Sequence, residues 1–273
     1  MIKKTLITLV VFILFWVGSI YFYQDRMIYF PRSYSSSSKW FERVDKVRYR
    51  ANGVYQTSFI YPRGMVDEPE QIWWLFGGNG STALDWLSIL ERGSFSGCQA
   101  FVLVDYPGYG LCQGKPDPEA IFSSVEQLHR ALSERWEFSP DEVSKRSGAM
   151  GHSLGAAIAL NTAARFEMPE VVAVSPFTSM DEMAKRKVGV LYHLLKHQYD
   201  NREAVGRLMK RENPAKITIF HGNRDSLIPI SMGRELAELA GEANASFRVA
   251  EGCGHNDILH SVQKDLLTFL YRD

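Results

Sequence analysis

The 273 residues carry 31 lysines plus arginines against 31 aspartates plus glutamates, and 45% of positions are apolar. The balanced charge excludes the basic footprint of a nucleic-acid binder, while the apolar share can fill the core of one α/β domain. Cys98, Cys112 and Cys253 are three and scattered, which argues against a disulfide framework, and no zinc-ligand spacing is present.

Lys3 and Lys4 precede Thr5 to Tyr23, nineteen residues without a charge. As a helix this run spans about 28 Å, close to the hydrocarbon thickness of a bilayer. No Ala-x-Ala-like cleavage site follows it, so an uncleaved membrane anchor is expected over residues 1–25 rather than a removed signal peptide. Lys3 and Lys4 outweigh the mixed Asp25, Arg26 and Arg32 flank, which puts the N-terminus in the cytoplasm and the rest of the chain across the membrane. Tyr21, Tyr23 and Tyr29 are then expected at headgroup level. Residues 26–43, with the serine run from Ser35 to Ser38, read as a tether, and 44–273 as the folded domain.

Val47–Arg50 and Tyr55–Tyr61 alternate around Asn52-Gly53, a hairpin signal. Acidic, turn-rich Pro62 to Glu70 is a loop. Gln71–Phe76 is a strand buried on both faces, and its Gly77-Gly78-Asn79-Gly80-Ser81 exit bares backbone N–H groups. No lysine follows as a phosphate loop would require. Gln99–Tyr106 is the next strand, and Asp105 at its end is assigned to fixing the Pro107–Gly110 turn. Apolar Ile121, Val125, Leu128 and Leu132 place a helix over Pro118–Trp136.

Gly151-His152-Ser153-Leu154-Gly155 then runs into an alanine-rich helix, Leu154 to Phe166. A chain reversing from strand to helix in so few residues has room only for glycine on both sides of Ser153, and the helix N-terminus supplies N–H groups for developing negative charge. Ser153 is the candidate nucleophile. Strand Val171–Val174 comes next, and then residues 177–214 lack a strand. Two short amphipathic helices there either form a lid over Ser153 or cover the sheet edge. Lys216–Gly222 and Ala245–Ala250 are the last strands, with Ser231–Ala240 between them and Ile258–Tyr271 as the closing helix.

Alternation of strand and helix predicts a largely parallel sheet covered on both faces. Asp225 and His255 each fall just past a strand's carboxyl end, on the edge where Ser153 stands, and the order Ser, Asp, His is that of the α/β-hydrolases. His255 is thus the base and Asp225 the acid, with Asp181 in reserve. His129, His152, His193, His197, His221 and His260 take structural roles. An imidazole base titrating near its ordinary value of about 6.5 would make activity fall in acid.

Arg26-Met-Ile-Tyr-Phe-Pro, Phe76-Gly-Gly-Asn-Gly, Asp105-Tyr-Pro-Gly-Tyr-Gly, Gly151-His-Ser-Leu-Gly, Ser175-Pro-Phe, His221-Gly-Asn-Arg-Asp and Gly254-His-Asn-Asp occur in this order. The series resembles the membrane-anchored α/β-hydrolases of the Bem46-like group and covers nearly the whole chain. The resemblance implies a serine hydrolase with Ser153, Asp225 and His255 as triad and the backbone N–H groups of Asn79 and Leu154 as oxyanion hole. One departure is Gly77, where the group usually has histidine. The expected activity is that of a membrane-bound hydrolase of carboxylic or thio-esters, acting on small-molecule or lipid-like acyl substrates without metal or organic cofactor. A catalytically silent scaffold of the same fold, or a peptidase, stands as the alternative.

Overall fold

The computed structural model describes residues 2–35, 38–64, 67–93 and 98–271, without the side chains of 2, 3, 6, 7, 10 and 13. Eight strands form its sheet: β1 Asp45–Ala51, β2 Val54–Tyr61, β3 Gln71–Phe76, β4 Gln99–Val104, β5 Ser147–His152, β6 Glu170–Val174, β7 Lys216–Gly222 and β8 Ala245–Ala250. They lie in the order β1-β2-β4-β3-β5-β6-β7-β8. β2 runs antiparallel to both β1 and β4, and every later pairing is parallel. The hairpin is antiparallel because Asn52 (φ 50°) and Gly53 (φ 78°) both take the left-handed conformation that a two-residue turn needs.

Side chains of a strand alternate between faces, so a strand inside a covered sheet feeds two cores. In β3, Ile72, Trp74 and Phe76 join one cluster, whereas Trp73 and Leu75 join the other. Helices Pro118–Trp136, Leu154–Phe166 and Ile230–Ala240 cover the first face, and Gln263–Leu270 with the Ala83–Leu90 region covers the second. Asp117 caps the Pro118–Trp136 helix by accepting from the Ala120 N–H at 2.8 Å, and Ile121, Val125, Leu128 and Leu132 form its buried stripe. The closing helix is broken into Ile258–Ser261 and Gln263–Leu270 by Val262, whose backbone (φ −92°, ψ 8°) leaves helical geometry.

A helix spans Ile2–Ile28 and departs from helical geometry at Tyr23 (φ −113°, ψ 15°). Among the described residues no helix is long and apolar enough to cross a membrane. The expected span from Thr5 to Tyr23 includes residues 6, 7, 10 and 13, whose side chains lie outside the described set. A helix therefore stands where the anchor was expected, without a membrane span among its described residues.

Residues 26–35 and 38–43 are held to the domain through Tyr29, Tyr34 and Phe41 rather than tethering it; positions 36 and 37, inside the serine run, lie outside the described residues. Tyr29 is 2% exposed, not at a headgroup level, and its hydroxyl lies 2.9 Å from that of Tyr199. The Tyr34 hydroxyl donates to Asp105 at 2.7 Å while its ring meets Phe41 and Phe59 edge-on. Tyrosines combine a large apolar area with a hydroxyl that finds a partner, and here they outweigh the polar composition around them.

Residues 177–214 hold three helical pieces instead of two: Met180–Val188, a 3-10 turn Gly189–Leu194, and Asn201–Met209. The last is not a cover at all, because Ala204, Val205 and Leu208 are fully buried in the core beside the Leu154–Phe166 helix. Before it, the chain makes an excursion closed at its base. Ser179 and Asp200 pair as an antiparallel bridge, Met180 N–H donates to the Tyr199 carbonyl at 2.9 Å, and Asn201 N–H donates to the Thr178 carbonyl at 3.0 Å.

Candidate active site

β5 ends at His152 and the next helix starts at Leu154, leaving Ser153 alone at the turn with φ 57° and ψ −118°. That conformation is strained for a residue with a side chain, and such strain collects at functional positions. Its N–H is held by the Val174 carbonyl at 2.9 Å. The turn closes only because of the neighbouring glycines. A Cβ on Gly151 would stand 2.0 Å from the Gly155 carbonyl oxygen, and one on Gly155 would stand 2.2 Å from the Phe76 carbonyl oxygen.

Three residues from three loops meet here. Ser153 Oγ lies 2.9 Å from His255 Nε2, and His255 Nδ1 lies 2.7 Å from Asp225 Oδ2. Asp225 is fixed from behind, since its Oδ1 accepts from the N–H groups of Leu227 at 2.9 Å and Ile228 at 2.8 Å. Burial pushes the Asp225 carboxyl up, but the His255 hydrogen bond and the two N–H donors together hold it below the usual carboxylate range. A carboxylate therefore faces Nδ1, which favours the tautomer with Nδ1 protonated and Nε2 free to accept from the serine hydroxyl.

The other candidate acids are engaged elsewhere. Asp181 accepts from Gln198 Nε2 at 2.9 Å on the exposed side of the excursion. Asp257 accepts from the Gly254 N–H at 2.8 Å and so shapes the turn that presents His255. Asp105 is buried beneath the glycine-rich loop, accepting from Tyr34 and from the Ala83 N–H at 2.8 Å.

Asn79 and Leu154 line the same cavity as Ser153. The loop that carries Asn79 is gripped from several sides. Tyr106 hydroxyl donates to the Gly77 carbonyl at 2.6 Å, and Tyr109 hydroxyl donates to the Asn79 carbonyl at 2.7 Å. The Phe30 N–H also donates to the Asn79 carbonyl at 3.0 Å, while Asn79 Nδ2 donates to the Ile28 carbonyl at 3.0 Å. At Gly77, where a histidine was expected, an added Cβ would meet the Ser81 Cβ at 2.9 Å. Tyrosine hydroxyls and the chain after the N-terminal helix hold the loop in its place.

The cavity encloses about 230 Å³. One wall comes from the excursion, through Met180, Met183 and Leu191, and the other from the N-terminal helix, through Ile20, Met27 and Ile28.

His152 has a part that sequence reasoning passed over. Its Nε2–H donates to the His255 carbonyl at 3.0 Å, and the two rings lie 4.9 Å apart. Burial first, and then the neighbouring His255, lower its pKa to about 4, so it stays neutral and fixes the backbone of the His255 loop without competing for the proton of that imidazole. The signal was its place beside Ser153, which necessarily brings it near whatever faces the serine. Met27 and Ile28 were within reach too, since they belong to the Arg26–Pro31 stretch of the motif series.

A model described as "Alpha/beta hydrolase family" matches residues 75–211. The human alpha/beta hydrolase domain-containing protein 17B is 31% identical over 166 residues, spanning 61% of this chain and 53% of that protein. The mouse protein 17C is 29% identical over 166 residues, spanning 61% of this chain and 48% of its own. The chain thus aligns with about half the length of these curated relatives. Among solved structures, an esterase of Pyrococcus furiosus superposes with a TM-score of 0.67 at 14% identity, covering 89% of this chain and 95% of that one. A membrane phospholipase A, described as a bacterial virulence factor, superposes at 0.61 and 14% identity with 98% of both chains covered. At such identities the likeness is one of fold.

Proposed function

The chain belongs to the alpha/beta hydrolase family, and from that premise we propose that it is a serine hydrolase cleaving carboxylic or thio-esters through an acyl-enzyme. The observation that carries this reading is the unbroken relay from Ser153 Oγ to His255 Nε2 at 2.9 Å and from His255 Nδ1 to Asp225 at 2.7 Å.

Ser153 Oγ attacks the ester carbonyl as His255 Nε2 takes its proton, and Asp225 stabilises the imidazolium. The N–H groups of Asn79 and Leu154 receive the oxyanion. His255 then gives the proton to the leaving oxygen or sulfur, and water, activated by the same imidazole, releases the acid and restores Ser153. Each backbone donor contributes roughly 10²–10³ in turnover. The scaffold alternative drew on the missing histidine at position 77. That loop is gripped by Tyr106, Tyr109 and Asn79 itself, which supports the enzyme reading over the scaffold.

The N-terminal helix supports a lipid-associated setting. Leu9, Val11, Phe12, Leu14, Phe15 and Trp16 are all at least half exposed, an apolar surface that water does not favour. In this reading the helix holds the domain at a bilayer, and the substrate is an acyl ester.

A fluorophosphonate probe tests the nucleophile. Wild-type protein is expected to label, and Ser153→Ala to lose both labelling and hydrolysis of p-nitrophenyl esters while keeping its circular-dichroism spectrum. Labelling that persists in the folded alanine variant would place the nucleophile at another residue.

A further inference from the structure

The cavity over Ser153 is built from two parts of the chain that lie far apart in sequence. Near Ser153 and Asn79 it is polar, and beyond them Met180, Met183 and Leu191 face Ile20, Met27 and Ile28 across an apolar space. The N-terminal helix is not loosely laid against the domain at this point. Gln24 is 6% exposed, and its Nε2 donates to the Leu194 carbonyl at 3.2 Å while its Oε1 accepts from the Lys196 N–H at 2.6 Å. A buried amide satisfied at both ends fixes the helix against the excursion. Lys196 Nζ sits 3.5 Å above the Tyr21 ring, adding a cation–π contact one turn earlier. Just beyond, the Ile28 carbonyl accepts from Asn79, so the helix end touches the proposed oxyanion loop as well.

We infer that the last turns of the N-terminal helix, through Ile20, Met27 and Ile28, form the specificity-determining wall of a subsite for the aliphatic acyl chain of the substrate. The inference rests on the serine-hydrolase reading for which end of the chain carries the ester. The chemistry of the walls selects the ligand class: a slot lined mostly by apolar side chains, with Lys187, Gln24 and Tyr192 as its further polar groups, and opening at a nucleophile and an oxyanion loop fits a carbonyl carried on a hydrocarbon chain. Methionines on both sides let the slot adapt to chains of different length. The helix continues from this wall into its exposed apolar stretch, so a chain leaving the slot meets apolar surface rather than water.

The test uses the full-length chain in lipid nanodiscs. Dansyl-undecanoate is titrated onto the Ser153→Ala protein, with empty discs subtracted, so that binding is read without turnover. Saturable binding is expected, and Met27→Trp is expected to weaken it about tenfold by filling the slot. Met27 is 54% exposed, which leaves room for the larger side chain, and Ile20→Trp serves as the second variant. On the active protein, the ratio of kcat/KM for p-nitrophenyl decanoate over acetate should drop by a similar factor in both variants. Absence of saturable binding, or binding and chain-length ratios unchanged in both variants with cooperative melts retained, overturns the inference. Binding that responds to the tryptophans in a protein that neither labels nor hydrolyses esters would uphold the subsite and remove the serine-hydrolase reading instead.

Discussion

Gly155 sits where β3 and the turn at Ser153 touch: a Cβ there would meet the Phe76 carbonyl oxygen at 2.2 Å and the Gly77 carbonyl oxygen at 2.5 Å. Both obstacles are backbone, which cannot rotate aside. Gly155→Ala is therefore expected to cost about 1–3 kcal/mol in a urea melt. It should also lower kcat, because the displaced strand end leads directly into the loop bearing Asn79. A variant with wild-type melting and turnover would contradict the tight seat. At this scale the sequence was informative wherever a residue's chemistry was tied to a local spacing. Gly-x-Ser-x-Gly reads as a sharp turn because nothing larger fits, and Asp225 and His255 could be named because each follows a strand. The roles of Tyr106 and Tyr109 depend on contacts between residues tens of positions apart, which no local pattern encodes, and that of His152 was signalled only by its place beside Ser153.

Among the elements, the sheet was legible and the helical excursion was not. Strands such as β3 and β4 read as continuous apolar runs because both faces are covered, and Asn52-Gly53 marks its turn by conformation alone. In contrast, Asn201–Met209 has the same mixed composition as the helix before it, yet Val205 and Leu208 are fully buried while Met180–Val188 buries no residue fully. Amphipathicity tells which side of a helix is apolar, not what that side meets. The N-terminal helix poses the same question, and its exposed side chains answer it with an experiment. Replacing Phe12 and Phe15, 66% and 73% exposed, with glutamate is expected to release the full-length protein from floating liposomes, since each buried aromatic contributes roughly 1.5–3 kcal/mol of transfer. A wild-type protein that does not float would remove the lipid-associated setting, and flotation unchanged by both charges would place the lipid contact away from Phe12 and Phe15.

For the molecule as a whole, one buried carboxyl adds a pH dependence that a single substitution can isolate. Burial pushes Asp105 up to about 7, against the lowering effect of the Tyr34 hydroxyl and the Ala83 N–H. Above the ordinary value near 3.8 and below about 7, the folded chain keeps a proton that the unfolded chain has released. The unfolded state therefore binds fewer protons, and this group's contribution to stability declines as pH rises through that window. Asp105→Asn removes the titration, so the variant should gain on the wild type by roughly 2 kcal/mol between pH 5 and pH 8 in denaturant melts. A constant gap would mean that Asp105 is ionised throughout. The sequence assigned Asp105 to fixing the Pro107–Gly110 turn, whereas its carboxyl accepts from the Ala83 N–H and the Tyr34 hydroxyl, both far away along the chain. That Tyr34 reaches it from the supposed tether was hidden, because composition reports the average polarity of residues 26–43 and not the few aromatic side chains that decide where that stretch lies.

The excursion from Met180 to Tyr199 leaves and rejoins the domain through a neck stapled by the Ser179–Asp200 bridge and the Met180–Tyr199 and Thr178–Asn201 hydrogen bonds. A loop whose two ends are fastened to each other can be lengthened, shortened or exchanged with little effect on the sheet, provided the Leu194–Lys196 stretch that holds Gln24 is kept. It is a cartridge, and the wall it contributes over Ser153 is the part of this architecture most free to be rewritten for a new molecule while the reacting groups beneath it stay as they are.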